Sequence, residues 1–420
     1  MLAIDGPAGA GKSVTARAIA ERLGLRHVDS GAMYRAVAWI AARKGAALGD
    51  EAAILSVLDR SRLEASTRGL LIDGEPVEPH IRSAEAGEAA SRVAIHPKLR
   101  ERLVRLQRSL AVPPGLVMEG RDIGTIVFPK ADLKLFLTAS VESRAKRRQT
   151  ELAARGEPAD VAGIEAMLRD RDARDADRSS SPLQAAPDAI PFDTTKMTLE
   201  EQIDLASHWA RLALGGPGKM TAIFRFGHDF AQWFARLGLR FRVEGLERLP
   251  RAGPLIVACN HISFWDPPLV GSSVPRAIHF VAKAELFQNR LFGELISRYN
   301  AIPIQRGPQA RRGLRGAEEV LGRGGAVLIF PEGTRSSTST FLPPKAGVTR
   351  LAAVTRSPIV PARIWGSRQI RRSMLRQVEV RIVFGAPMMP PRGEEATAEG
   401  GRRFARRVMD AIGALGPRKD

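Results

Sequence analysis

The run Leu2-Ala3-Ile4 is apolar, and Gly6-Pro7-Ala8-Gly9-Ala10-Gly11-Lys12-Ser13 follows it almost at once, leading into a helical pattern from Val14 to Leu23 that Gly24 closes. No other stretch restricts the fold so tightly. A strand, the pattern G-x-x-x-x-G-K-S and a helix make a phosphate cradle within an α/β unit. The glycines let backbone N–H groups turn inward around phosphates, and the helix N-terminus adds positive potential. Lys12 reaches the outer phosphates, and the Ser13 hydroxyl can sit on Mg²⁺. All eight residues, Gly6, Pro7, Ala8, Gly9, Ala10, Gly11, Lys12 and Ser13, are candidate phosphate-site residues. The first strand begins at residue 2, so a few native residues are expected upstream of Met1.

One such unit does not occupy 420 residues. A chain of this length is expected to divide into two domains of roughly 200 residues. The seam is expected at Leu214-Gly215-Gly216-Pro217-Gly218-Lys219, where glycine and proline sustain neither a helix nor a central strand. Charge changes there. Residues 1–215 carry 31 Lys and Arg against 30 Asp and Glu (net +1), which leaves 33 against 15 (net +18) for residues 216–420. The expected division is therefore 1–213, a linker at 214–219, and 220–420. One cysteine, Cys259, precludes an intrachain disulfide and fits a reducing cytosol. The N-terminal residues offer no signal-peptide pattern, and no window reaches the ~18 apolar residues of a spanning helix. The basic half is thus expected to meet an anionic partner from the water side, either nucleic acid or an anionic lipid surface.

Three further motifs stand in the first half. His27-Val28-Asp29-Ser30-Gly31-Ala32-Met33-Tyr34-Arg35 follows a short connection. Leu116-Val117-Met118 leads to Glu119-Gly120-Arg121-Asp122-Ile123-Gly124-Thr125, and Arg169 to Arg178 packs arginine and aspartate at helical spacing. A charge run alone is usually a solvated helix face. Beside a phosphate cradle it reads as a lid, because phosphoryl transfer needs positive charge around the moving group and exclusion of water rather than a nucleophile. Between these motifs, Leu70-Leu71-Ile72 and Glu75-Pro76-Val77 flank Asp73-Gly74, a short hairpin signal.

Over residues 2–212 these motifs resemble the bacterial cytidylate kinases. The resemblance implies the nucleoside monophosphate kinase fold: a parallel sheet with helices on both faces, a monophosphate-binding insert around the hairpin, and a lid. It implies ATP with Mg²⁺ and CMP or dCMP as substrates. It assigns the Gly6–Ser13 loop to ATP. Ser30, Arg100, Asp122 and Arg178 would take the cytosine ring or the acceptor phosphate, with Arg35 also on the phosphate, and Arg121 and Asp175 would hold the ribose. Arg147, Arg171 and Arg174 would form the lid, Lys12 and Arg174 would be catalytic, and Glu119 would reach Mg²⁺ through water.

The second half begins with an aromatic and basic stretch, Met220 to Arg242, suited either to a membrane interface or to its own domain core. Leu255-Ile256-Val257-Ala258 then runs into Cys259-Asn260-His261-Ile262-Ser263-Phe264-Trp265-Asp266, and Ala326-Val327-Leu328-Ile329-Phe330 into Pro331-Glu332-Gly333-Thr334-Arg335-Ser336. A histidine after a strand is by itself more often structural. Two apolar strands that each end in a polar cluster are how an α/β enzyme assembles a site.

Together with Phe280 to Phe287, Ala301 to Gly307 and Val360 to Arg363, H-x-x-x-x-D and P-E-G-T-R-S resemble the glycerophospholipid acyltransferases, and among them the 1-acyl-glycerol-3-phosphate acyltransferases, over roughly residues 225–390. The resemblance implies a separate α/β domain, with His261 as general base and Asp266 as its orienting carboxylate. Glu332, Gly333, Thr334 and Arg335, with Arg306 and Lys283, would serve lysophosphatidate. The acyl donor would be acyl-CoA or acyl carrier protein. The chain as a whole is expected to be a cytoplasmic bifunctional enzyme, peripheral on the inner face of the cell membrane, with no nucleic-acid partner. The rival expectation is an active kinase joined to a basic membrane- or nucleic-acid-binding module without acyl transfer.

Overall fold

The structure, a computed structural model, describes residues 1–66, 69–154, 156–157, 160–176, 183–215, 229, 237–304, 314–338 and 340–416. Arg178, Arg306, linker residues 216–219 and most of the stretch from Met220 to Arg242 lie outside the described residues. The chain folds as two compact units, residues 1–186 with 192–207, and residues 187–191 with 208–420. The division falls inside the helix Leu199–Leu214, ahead of the linker expected from sequence. The Trp209 indole N–H, buried in the second unit, donates to Arg356 O at 2.5 Å, so the last turns of that helix belong to the second core.

The strands of the first half are β1 (Leu2–Asp5), β2 (Arg26–Asp29), β3 (Leu63–Ser66), β4 (Gly69–Ile72), β5 (Glu75–Pro76), β6 (Leu116–Gly120), β7 (Leu133–Thr138) and β8 (Ile190–Asp193), and of β8 only Phe192 and Asp193 fall in the first unit. Five of them form a sheet in the order β2-β6-β1-β7-β8, and β1, β2, β6 and β7 run parallel. Every residue of β1 and β6 is buried, which is why both read as continuous apolar runs rather than alternating ones. Helix Lys12–Leu23 leaves the end of β1 and stops at Gly24, whose φ of 65° is the left-handed cap that glycine allows. Strands β3, β4 and β5 form a separate antiparallel sheet. Its Asp73-Gly74 turn has positive φ at both positions, 53° and 84°, as a two-residue type I′ hairpin requires.

The second unit adds β9 (Phe241–Glu244), β10 (Leu255–Cys259), β11 (Ile278–Lys283), β12 (Ala301–Ile304), β13 (Ala326–Ile329), β14 (Ile359–Trp365) and β15 (Val380–Phe384). They form one sheet in the order β12-β11-β13-β10-β14-β15-β9. From β12 to β14 all pairings are parallel, and β15 is antiparallel to β14. Along β10, Leu255, Val257 and Cys259 join one hydrophobic cluster while Ile256 and Ala258 join another. Along β13, Ala326 and Leu328 likewise part from Val327 and Ile329. Side chains alternate across a strand, so both faces of this sheet are covered. The carboxyl ends of β10, β11, β12, β13 and β14 share one edge, where ligands of an open parallel sheet bind. Among the described residues, no helix is long and apolar enough to cross a membrane.

Candidate active sites

At the end of β1 the chain turns through Gly6 (φ 146°), Gly9 (φ 73°) and Gly11 (φ 87°). A Cβ on Gly6 would lie 2.1 Å from Leu137 O on β7, so only glycine fits where the loop passes that strand. Lys12 Nζ folds across the loop and donates to Pro7 O at 2.7 Å. Burial, with Arg121 and Arg171 nearby and only partly offset by Glu119 and Asp5, pushes the Lys12 ammonium down from its usual 10.5 to about 7. Ser13 Oγ donates to Glu119 Oε2 at 2.7 Å, and His27 Nε2 lies 3.1 Å from the other oxygen of that buried carboxylate. A hydroxyl beside a carboxylate, both hard oxygen donors, fits Mg²⁺, which uses few protein ligands and shares the rest with substrate phosphates and water.

Around this loop the ends of β2 and β6 gather the charged groups. Ser30 Oγ donates to Glu119 O at 2.7 Å, and Arg35 Nη2 to Asp29 Oδ2 at 2.7 Å. Arg121 donates from Nε to Asp175 Oδ2 and from Nη1 to Gly6 O, each at 2.9 Å, tying β6 to the loop and to helix Val161–Ala176. Buried Arg100 pairs with buried Asp122. Arg171 reaches the insert, where a Cβ on Gly87 would lie 3.7 Å from its Nη1.

In the second unit β10 delivers His261 and β13 delivers the loop after Phe330. His261 Nδ1 lies 2.9 Å from Asp266 Oδ2, an oxygen that also accepts from Ile262 N (2.6 Å) and Ser263 N (2.7 Å). Asp266 Oδ1 accepts from Ser367 Oγ at 2.5 Å, and Asp266 is fully buried. This carboxylate cannot swing away. The imidazole stacks on Phe330, with centroids 4.1 Å apart and planes 20° apart. Buried Glu332 accepts from His261 N and Leu342 N, both at 2.8 Å, while Ser336 N donates to His261 O at 2.8 Å. The two loops are thus joined, and Nε2 of His261 has no protein partner among the described residues. Arg335 is exposed and lies over the Phe264 ring at 3.4 Å. Burial beside the Asp266 and Glu332 charges pushes the Cys259 thiol well up, so it is not a nucleophile.

With this geometry, comparison with known proteins is direct. Residues 2–211 match the cytidylate kinase family model. A cytidylate kinase from Geobacillus sp. (strain WCH70) is 48% identical over 207 residues, covering 48% of this chain and 92% of that relative. The chain belongs, through its first half, to the cytidylate kinase family. A bifunctional pantoate ligase/cytidylate kinase from Synechococcus sp. (strain JA-2-3B'a(2-13)) is 46% identical over 211 residues, covering 49% of this chain and 39% of that relative. Residues 240–365 match the acyltransferase family model, so the cytidylate kinase unit is followed by an acyltransferase domain. The solved 1-acyl-sn-glycerophosphate (LPA) acyltransferase from Thermotoga maritima is 28% identical, over 47% of this chain and 81% of that one, with a TM-score of 0.39.

The structure brings together most residues expected from sequence, and it moves some. Lys12, Ser13, Ser30, Arg100, Arg121, Asp122, Arg171 and Asp175 surround one site, and His261 and Asp266 form a pair. Arg147, expected on the lid, instead donates to Thr194 Oγ1 (3.1 Å) and Thr194 O (2.7 Å), which fixes it beside the end of β8. Arg174, expected to be catalytic, is exposed and donates to Asp170 O within its own helix. Glu332 spends both oxygens on backbone amides, so it positions the loops rather than facing an acceptor. Lys283 stands exposed at the end of β11.

Sequence reading missed four groups. Asp5 accepts from Ile123 N (2.9 Å) and Gly124 N (2.7 Å), and burial outweighs those bonds to raise its carboxyl to about 6. Buried Arg144 joins Ala8 O at 3.0 Å to Asp172 Oδ2 at 2.5 Å. Ser367 holds Asp266. Arg368 donates to Ile262 O, Ser336 O, Ser337 O and Thr338 O, lacing both acyltransferase loops. Asp5 touches the cradle motif in sequence, a signal that could have drawn it in; the other three stand outside every motif.

Proposed function

We propose that the chain is a bifunctional transferase: its first unit phosphorylates CMP and dCMP with ATP, and its second unit, which takes in the last turns of helix Leu199–Leu214, converts 1-acyl-glycerol-3-phosphate to phosphatidate. In the kinase unit an oxygen of the monophosphate attacks the terminal phosphorus of ATP, the bond to the bridging oxygen breaks, and ADP leaves. Lys12 and Arg171 neutralise charge on the transferring group, Arg121 with Asp175 holds the ribose, and Ser30, Arg35, Arg100, Asp122 and Arg178 hold the rest of the acceptor. Ser13, with Glu119 through water, would hold Mg²⁺, which offsets negative charge on the phosphates.

In the second unit His261 Nε2 takes the proton of the glycerol hydroxyl as its oxygen attacks the thioester carbonyl. The carbon–oxygen bond forms, the carbon–sulfur bond breaks, and the proton passes from His261 to the leaving thiolate. Asp266 accepts from Nδ1–H, fixing the tautomer and stabilising the imidazolium. Gly333, Thr334 and Arg335, with Lys283 and Arg306, receive the acceptor phosphate. The donor is acyl-CoA or acyl carrier protein. The excess positive charge of the second half supports an encounter with an anionic membrane surface.

The observation that carries the acyl-transfer reading is the buried Asp266 bonded to His261, with the P-E-G-T-R-S loop fastened to the same histidine. A panel of labelled ATP against all nucleoside monophosphates, and of labelled acyl thioester against several lysolipids, tests both halves. CMP and lysophosphatidate should be the preferred acceptors. Preference for UMP, or acylation of other lysolipids to the exclusion of lysophosphatidate, would overturn the corresponding half.

A further inference from the structure

We infer that Lys345, outside every motif of the chain, is a phosphate-binding and specificity-determining residue of the acyltransferase site. The inference rests on the lysophosphatidate reading above and deepens it.

Gly333 has a φ of 65° and is exposed in the middle of P-E-G-T-R-S. A Cβ there would lie 2.7 Å from Lys345 Cδ, 2.9 Å from Cε and 3.0 Å from Nζ. The lysine stem therefore runs over the space that a side chain at Gly333 would fill, and it carries the ammonium onto the same short segment as Thr334 and Arg335. The backbone holds it there, because Lys345 N donates to Pro331 O at 2.8 Å, at the start of the motif. Helix Gly347–Thr355 begins two residues later without a side-chain cap, so its N-terminal end adds positive potential close by.

Among the described residues Lys345 has no acidic partner. The neighbouring carboxylate, Glu332, is buried and committed to the amides of His261 and Leu342. A cation held over a glycine, next to an exposed threonine and an exposed arginine, suits a phosphate monoester. Arginine supplies a planar fork and lysine a compact point charge, so the two are complementary on one dianionic group. Gly333 is glycine for its left-handed backbone conformation, and the absence of a side chain there leaves the lysine free to lie across it.

The test uses the full chain, wild type and the variants Lys345→Met and Lys345→Arg, with one acyl thioester and lysophosphatidate as acceptor. Lys345→Met should raise KM for lysophosphatidate about tenfold, the size of one charge-assisted hydrogen bond at a partly exposed site, with kcat changed less than about threefold. Lys345→Arg should recover most of the loss. Glycerol 3-phosphate, as a soluble competitor, should weaken as an inhibitor of Lys345→Met by a similar factor. An unchanged KM, or a fall in kcat with KM and inhibition constant unaltered, overturns the inference while leaving the acyltransferase reading in place. Failure of the wild type to acylate lysophosphatidate, with other lysolipids accepted, removes the reading and the inference together.

Discussion

Lys12 shows what a single buried charge does before its substrate arrives. Its ammonium is pushed down to about 7 by burial and by Arg121, so around pH 8.5 the free protein holds it mostly neutral. Polyphosphate beside it restores the charged form and raises its pKa. Nucleotide binding should therefore take up close to one proton between pH 7 and 10.5, and affinity should fall about tenfold per pH unit as pH rises through that window. Below pH 6 the uptake should vanish, because Lys12 is already charged. Calorimetry of ATP binding in buffers of different ionisation enthalpy measures this, and Lys12→Met should abolish it; uptake that persists in the variant assigns the proton elsewhere. The sign for folding is the companion case: a depressed lysine contributes stability that is fully present above pH 10.5 and lost as pH falls through 7. Residues whose chemistry is local to a motif, such as Lys12, Ser13, His261 and Asp266, were legible in the sequence. Ser367 was not, because it reaches Asp266 across 101 positions and only the fold joins them. Ser367→Ala should leave Asp266 Oδ1 short of a donor at full burial, costing about 1–3 kcal/mol, and should lower kcat for acyl transfer while kinase turnover stays unchanged. Equal acyl-transfer kcat in the variant would reduce Ser367 to packing.

At the scale of elements, both sites are built where parallel strands end and loops cross, and in the second unit the loops are held by backbone hydrogen bonds to two charged side chains, buried Glu332 and exposed Arg368. Glu332 accepts from one amide in the β10 loop and one in its own loop; Arg368 donates to carbonyls of both. Glu332→Gln replaces an acceptor with a donor facing an N–H. It should lower acyl-transfer kcat at least tenfold and destabilise the second unit by about 1–3 kcal/mol, read from turnover together with chemical denaturation; wild-type turnover would show that the loops hold without it. Gly6 plays the matching part in the first unit, where a Cβ would meet the β7 carbonyl at 2.1 Å. The strands β1, β6, β10 and β13 were legible because fully buried strands are continuous apolar runs, and the Asp73-Gly74 hairpin because its turn needs two positive φ values. The arginines were harder to read. Arg171 and Arg174 lie in one charge run on helix Val161–Ala176, where sequence does not separate the one near the cradle from the one that donates to Asp170 O, and Arg147, on helix Val141–Ala153, donates to Thr194.

For the whole molecule, the sequence divides by charge and the fold divides by packing, and the two boundaries differ. The charge change lies at residues 215–216, whereas the helix Leu199–Leu214 already contributes Trp209 to the second core. A charge count cannot see one buried indole. The practical consequence is that cutting the chain after residue 214 would leave the second unit without Trp209, whereas a cut after residue 207 would keep that indole with the core it fills. On the function proposed above, the first unit holds the phosphate cradle and the second the histidine, its carboxylate and the P-E-G-T-R-S loop. The reactions share no substrate, so their chemistry should be separable within the intact chain. His261→Ala should abolish acyl transfer and leave CMP phosphorylation at the wild-type rate, and Lys12→Ala should do the reverse, with both activities followed on one preparation of each variant. His261 is partly exposed, and Lys12, though buried, is the first residue of its helix and belongs to no hydrophobic cluster, so neither change empties an apolar core. Loss of both activities in either variant, with the fold intact by circular dichroism, would show that the units are coupled.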